Sequence, residues 1–114
     1  MVNSDARALA LRMHEAFNAR DVAAADGIFA PGFHSHPLRG GVDAVKAAWT
    51  AMFAADPAIR TVLEDVLVDG DRVALRSTVH RSAGPAAGTT MLEVFRVAEG
   101  RIAELWGAAA MVDR

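Results

Sequence analysis

The chain has 114 residues, of which 53% are apolar, so it is the size of one domain and can bury one core. Its 12 basic and 14 acidic residues give a net charge of −2, which provides no overall positive field to attract nucleic acid or anionic lipid, so neither is expected as a partner. The absence of cysteine excludes disulfides, a thiolate nucleophile and metal sites with sulfur ligands. No apolar run approaches the roughly 20 residues that span a bilayer, and the start of the chain lacks the pattern of a signal peptide. We therefore expect residues 1–114 to form one soluble, cytoplasmic domain.

Two helices are predicted in the first thirty or so residues. The first begins near Asp5, where Asn3 and Ser4 can cap it, and its apolar residues recur within one arc at 100° per residue. A short second helix is expected from Val22 to about Phe29, because Pro31 stops it. Both helices therefore precede any strand in this interpretation.

The segment that follows is predicted to be extended before a third helix begins. Residues 33–37 end in a proline, and the residue before a proline is disfavoured in the helical region. The third helix starts after Gly40 and Gly41, carries one apolar stripe and ends near Ala55. Three helices are thus expected to form one layer over a sheet.

Four strands in a meander of hairpins are predicted after Arg60. Turn signals occur at residues 69–71, 82–88 and 98–100. Tight turns at the first and last of these would place four pairs opposite each other: Val68 and Val73, Asp65 and Arg76, Val97 and Ile102, Glu93 and Trp106. One face would then carry Val73, Leu75, Ser77, Val79, Met91, Glu93, Phe95, Val97, Ile102, Glu104 and Trp106.

The opposite face of the predicted sheet is also apolar. It would carry Leu63, Leu67, Leu92, Val94 and Leu105. One layer of three helices can cover only one face of a sheet. We therefore expect this outer face to join two copies of the chain in a homodimer.

Five segments together resemble the nuclear transport factor 2-like superfamily, which includes SnoaL-like polyketide cyclases and ketosteroid isomerases. They are AFNARD (16–21), IFAP (28–31), GGVDAV (40–45), DGDRVA (69–74) and VFRVAEGRIAELW (94–106). The resemblance implies an α+β fold in which a curved antiparallel sheet forms a cone around the three N-terminal helices. It also implies a central pocket open at one end, and often a dimer on the outer sheet surface.

The resemblance points to two catalytic candidates. His36 stands before Pro37 where the isomerases place an acidic general base, and imidazole can take that role near neutral pH. Glu93 corresponds to a protonated acid that donates to a developing oxyanion, and burial would raise its pKa. The alternatives are a solvated His36 and an ion pair of Glu93 with Arg101 or Arg81.

Other residues are predicted to line the pocket and contact the substrate. The expected substrate contacts are Met13, Phe17, His34, Trp49, Phe53, Val79, Phe95 and Trp106. The histidine pair His34 and His36 has no cysteine or nearby acidic partner, so no metal is expected. The acid–base chemistry expected at this pocket needs no organic cofactor. His14 flanks the apolar arc of the first helix and is interpreted as solvated.

Two departures from the relatives affect the expected chemistry. The chain has no tyrosine, and Met13 occupies the position of the isomerases' second oxyanion donor. The acid expected in SnoaL-like cyclases shortly after the last tryptophan is also missing, because residues 107–110 are GAAA. Two functions remain open: an enzyme that uses general acid and base groups on a hydrophobic carbonyl compound, of isomerase, cyclase or dehydratase type, or a binding or accessory module without catalysis.

Overall fold

The computed structural model describes residues 3–109, with side chains from residue 5 onward. Helix α1 spans Asn3–Asn18, a 3-10 turn spans Val22–Ala24, α2 spans Ala25–Ile28 and α3 spans Val42–Ala55. The five strands are β1 (Phe29–Ser35), β2 (Arg60–Asp69), β3 (Arg72–His80), β4 (Thr89–Ala98) and β5 (Arg101–Ala109). The predicted α+β class is therefore confirmed. No described helix is long and apolar enough to cross a membrane.

The two long helices follow the sequence pattern. The arc predicted for α1 is buried at Ala6, Leu9, Ala10, Met13 and Ala16, and α3 buries Val45 and Trp49. The proposed caps of α1, the side chains of Asn3 and Ser4, lie outside the described residues. These buried stripes position α1 and α3 against the same face of the sheet.

The second helix is shorter than expected. The 3-10 turn is capped by the Asp21 side chain, which accepts a hydrogen bond from the Ala24 N–H at 3.2 Å. Helix α2 then ends at Ile28, because Phe29 already has extended angles of φ −98° and ψ 140°. Phe29 is the first residue of β1, so the helical segment ends one residue before the predicted limit of about Phe29.

The sheet has five strands in the order β1-β5-β4-β3-β2, and not the four that were predicted. Strand β1 pairs with β5 in parallel, whereas the other neighbours are antiparallel. The expectation of a wholly antiparallel sheet was therefore wrong for this pair. Strand β1 lies at the edge, where Pro31 can be accommodated without leaving a ladder hydrogen bond unmade.

Two irregularities set which side chains face the helices. The predicted pairs Val68–Val73, Asp65–Arg76 and Val97–Ile102 are all observed. The fourth pair was wrong: a bulge that leaves Ala103 as an extra residue of β5 shifts the register, so that Glu93 lies opposite Gly107 and Trp106 lies opposite Val94. A second register shift, between Leu63 and Asp65, reverses which face of the sheet each side chain at the start of β2 occupies.

The bulges exchange several residues between the two faces. Leu63 and Leu105 belong to the inner, buried side, and both had been assigned to the outer face. Glu104 and Trp106 belong to the outer side, because they pair with Arg96 and Val94. The helices leave this outer face uncovered, and Leu67, Leu92 and Val94 are 69%, 52% and 38% exposed on it.

Candidate functional site

A cavity of about 160 Å³ lies between α1, α3 and the inner face of the sheet. Most of its wall is apolar, and the polar groups are few. Its lining consists of Met13, His14, Phe17, Trp49, Met52, Ile59, Thr61, Ser77, Val79, Arg81, Met91 and Glu93. An apolar cavity with a small number of polar groups is typical of a small-molecule site.

Glu93 supplies the carboxyl group of this cavity. It lies on the inner face of β4, beside Leu75 of β3 and opposite Gly107 of β5. A Cβ atom at Gly107 would approach the Glu93 Cγ to 3.0 Å, so the missing side chain at Gly107 leaves room for Glu93. Burial raises the pKa of Glu93 from 4.5 to about 7, because the charged form loses its hydration. The carboxyl group is therefore present in both protonation states near neutral pH.

His14 is the second titratable group in the cavity wall. Its Nδ1 forms a hydrogen bond of 3.1 Å with the Thr61 hydroxyl, and only 8% of the residue is exposed. Burial lowers the pKa of His14 from 6.5 to about 4, so the imidazole is neutral at physiological pH. The interpretation of His14 as a solvated residue was wrong. It lies four residues after buried Ala10 and three before Phe17, so its helix position, more than its polarity, indicated burial.

Asn18 fixes the geometry around Thr61. Its side-chain amide donates to the Thr61 carbonyl at 2.8 Å, and its oxygen accepts from the Thr61 N–H at 2.8 Å. His14 and Asn18 are four residues apart and share one face of α1. They therefore bind the hydroxyl and the backbone of the same β2 residue, which holds α1 in register with the edge of the sheet.

His36 lies on the outer face of the sheet and does not reach the cavity. Its Nε2 is 2.7 Å from the Glu104 Oε2, and its ring stacks on Trp106 with centroids 5.0 Å apart and an interplanar angle of 9°. The hydrogen bond from His36 holds the pKa of the Glu104 carboxyl below its usual value. Arg72 lies over the other aromatic ring of this stack, 5.3 Å from the Trp106 centroid.

The expectation that His36 and Glu93 share one cavity was therefore wrong. Side chains alternate along a strand, and the β5 bulge moves Trp106 to the face opposite Glu93. His34 accompanies His36 on that outer face, with ring centroids 4.7 Å apart. Within residues 5–109, no three His, Asp or Glu side chains are placed to share a metal ion.

The predicted substrate contacts divide into three groups. Met13, Phe17, Trp49 and Val79 line the cavity. Phe53 packs against Phe17, with centroids 4.9 Å apart, while Phe95 is fully buried in the core, and neither belongs to the lining. His34 and Trp106 lie on the outer face.

The sequence interpretation also missed part of the wall. Met52, Ile59, Thr61, Ser77, Arg81 and Met91 line the cavity together with His14. Ser77 and Met91 had been placed on the inner face by strand alternation, so the signal for these two was present. Thr61 had no such signal, because the bulge in β2 reverses its face.

Comparison with known proteins gives one family and one fold. Residues 10–105 match the SnoaL-like domain. No curated protein sequence matches the chain. Among solved structures, the chain is similar to IdmH, a putative polyketide cyclase from Streptomyces antibioticus, with a TM-score of 0.78, 23% identity and 90% of each chain covered.

Two further structures have the same fold. One is a putative polyketide cyclase from Sinorhizobium meliloti, with a TM-score of 0.75, 25% identity, and 88% of this chain and 93% of that chain covered. The other is a SnoaL-like protein of unknown function from Burkholderia thailandensis, with a TM-score of 0.77, 23% identity, and 96% and 98% covered. Because the family match extends over most of the sequence, and its helices and curved sheet match those of SnoaL-like structures, the chain belongs to the SnoaL-like domain family of the nuclear transport factor 2-like fold.

Proposed function

We propose that the protein is an enzyme that moves a proton on a hydrophobic, carbonyl-containing small molecule, with Glu93 as the proton carrier. The observation that carries the proposal is the Glu93 carboxyl in an apolar cavity, where burial raises its pKa to about 7. A general base works best when its pKa lies near the working pH. Ordinary surface carboxylates titrate about three units lower and are weaker bases.

Glu93 can serve as base and acid in turn. The carboxylate takes a proton from the carbon next to a substrate carbonyl, and the resulting enolate is the common starting point for isomerisation, aldol cyclisation and dehydration. The protonated Glu93 then returns the proton to another position. The membership in the SnoaL-like family, with relatives described as putative polyketide cyclases, supports a reaction of this class.

The cavity also limits what fits inside it. An apolar cavity of about 150 Å³ accommodates one benzene molecule, and this cavity measures about 160 Å³. One ring can therefore be enclosed, and the rest of a larger substrate would extend outside the cavity. We expect ligands with one enclosed ring that carries or adjoins the reactive carbonyl.

Proton abstraction can be measured without knowledge of the natural substrate. We suggest 2-tetralone, a bicyclic ketone with acidic hydrogens next to its carbonyl, incubated in D₂O and followed by NMR. The parent should accelerate deuterium uptake above the buffer rate, and Glu93→Gln should reduce that acceleration roughly 100-fold or more. The control is Glu15→Gln, an exposed carboxyl of α1 outside the cavity, which should behave like the parent.

The pH profile provides an independent check. Since the carboxylate is the base, the rate constant kcat/KM should rise with pH and level off above about 7. Exchange by the parent that is unaffected by Glu93→Gln would refute the role of Glu93. Binding of 2-tetralone without any exchange would favour the binding or accessory module instead.

A further inference from the structure

We propose that the cavity opens to a ligand when the contact between Asp56 and Ser82 breaks, because this contact closes the cavity mouth. It joins the residue that follows α3 to the loop between β3 and β4, residues 81–88. The inference rests on the cavity as the ligand site of the proposed function, but it does not depend on catalysis by Glu93. It assigns to Asp56 and Ser82 control over how fast an apolar ring enters and leaves.

The position of the mouth follows from the exposure of the cavity lining. Met52 and Arg81 are exposed, whereas the other lining residues are buried or half-buried. Met52 lies on the last turn of α3, and Arg81 directly follows β3. A cavity meets solvent where its lining is exposed. The mouth therefore lies between the C-terminal end of α3 and the end of β3.

Two hydrogen bonds join Asp56 to Ser82. The Ser82 hydroxyl donates to the Asp56 Oδ1 at 2.7 Å, and the Ser82 N–H donates to Oδ2 at 2.8 Å. These bonds, with the hydroxyl contributing most, hold the pKa of Asp56 below its usual value. The group is therefore a carboxylate at neutral pH, and both bonds are charge-assisted. We call this pair of bonds the Asp56–Ser82 clasp.

Each end of the clasp is attached to the cavity wall. The Asp56 N–H donates to the Met52 carbonyl at 2.9 Å, and the Asp56 carbonyl accepts from the Ile59 N–H at 3.0 Å. Met52 and Ile59 both line the cavity, and so does Arg81, the neighbour of Ser82 in the chain. The clasp therefore connects the wall formed by the end of α3 with the wall formed by the end of β3.

The loop that carries Ser82 has few other attachments. Residues 83–87 are all exposed. Among the described residues their one hydrogen bond lies inside the loop, from the Gly88 N–H to the Pro85 carbonyl at 2.9 Å. Segments with exposed backbone and few packed contacts open with little loss of free energy. With the clasp broken, the loop is free to move away from α3 and widen the mouth.

A contact of this kind controls rates and not affinity. When the clasp closes the mouth equally in the free and in the bound protein, its loss raises the association and dissociation rate constants by the same factor and leaves Kd unchanged. A residue that contacts the ligand behaves differently, because its loss raises the dissociation rate constant and weakens binding. One kinetic experiment therefore separates the two roles.

Stopped-flow fluorescence of Trp49, which lies in the cavity wall, can follow the binding of 2-tetralone. Ser82→Ala removes the hydroxyl bond and should raise both rate constants roughly fivefold, the value of one hydrogen bond. Thr78→Val is the matched control, because it removes a hydroxyl–carboxylate bond of the same 2.7 Å length, to Glu64. Thr78 lies on the outer face, next to the cavity-lining Ser77, so both rate constants should stay at the parent values.

A disulfide tests the same contact in the opposite direction. The chain has no cysteine, so the double variant Asp56→Cys/Ser82→Cys carries only the introduced pair. Oxidation of this pair fixes the mouth closed and should lower both rate constants at least tenfold, and reduction should restore them.

Unchanged rate constants in Ser82→Ala and in the oxidised double variant would overturn the proposal. A rise in the dissociation rate constant alone would also overturn it, since that result places Ser82 in contact with the ligand. If both rate constants respond to the clasp while deuterium exchange is absent, the catalytic role of Glu93 fails and the clasp stands. Exchange that requires Glu93, together with rate constants that do not respond to Ser82→Ala, isolates the failure of the clasp.

Discussion

The pKa values of Glu93 and His14 are shifted in opposite directions, which predicts two pH-dependent contributions to stability that largely cancel in the parent protein. In the folded protein the pKa of Glu93 is raised from 4.5 to about 7, and that of His14 is lowered from 6.5 to about 4. Each shift is roughly 2.5 units, and one unit corresponds to about 1.4 kcal/mol, so each group changes the free energy of unfolding by about 3 kcal/mol. The two changes have opposite signs.

The sign follows from which state binds more protons. Between about pH 4.5 and 7 the folded state holds a proton on Glu93 that the unfolded chain releases, so stability falls as pH rises. Between about pH 4 and 6.5 the unfolded chain protonates His14 and the folded state does not, so stability rises with pH. Where the windows overlap, from about pH 4.5 to 6.5, the contributions cancel in the parent.

Single variants should expose each slope. Urea denaturation of Glu93→Gln should show stability that rises by about 3 kcal/mol relative to the parent curve between pH 4.5 and 7, since the destabilising ionisation is gone. His14→Phe should show a relative fall of similar size as the pH rises from about 4 to 6.5. Asp56 and Glu104, whose carboxyl pKa values are lowered, contribute equally to all three proteins and drop out of the differences. A difference curve for Glu93→Gln that is flat over this range would refute the raised pKa and, with it, the proposed proton carrier.

Three further predictions concern the packing of the fold and its uncovered sheet face. Asn18→Ala should lower the free energy of unfolding by about 2 kcal/mol in urea denaturation, because two hydrogen bonds to the Thr61 backbone are lost; no loss would show that these bonds are not stabilising. Gly88→Ala should be more destabilising than Gly70→Ala: both glycines have positive φ, but a Cβ at Gly88 would lie 2.5 Å from a β3 side chain, whereas Gly70 has no atom within 4 Å. Leu92→Lys should shift the protein toward monomer in sedimentation if the uncovered sheet face joins two copies, and a monomeric parent at micromolar concentration would exclude that dimer.

Local patterns were sufficient for the elements whose partners are close in sequence. The apolar stripes of α1 and α3 predicted both helices, and the Gly70–Asp71 turn fixed the register of β2 with β3. These signals are local because a helix or a tight hairpin is determined by its own residues.

The site was harder to predict because it depends on features without a local signal. One extra residue, Ala103, reverses the faces of Glu104 and Trp106, and a slip of one residue reverses every side chain beyond it. His36 was expected in the cavity because of its position before Pro37, whereas the structure stacks it on Trp106 on the outer face. Glu93 lies on β4, which pairs with β3 without a register shift, and its assignment to the inner face was correct. His14 was missed because it was placed at the flank of the apolar arc and interpreted as solvated, whereas the structure buries it.

The parallel pairing of β1 with β5 has a consequence for how the chain assembles. Strand β5 lies between β1 and β4, and the residues of β1 and β5 that pair are about 70 positions apart in the sequence. The hairpins β2–β3, β3–β4 and β4–β5 can close over short loops, whereas β1 has no sheet neighbour until β5 is in place. The strand made first on the ribosome is therefore among the last to gain its hydrogen bonds.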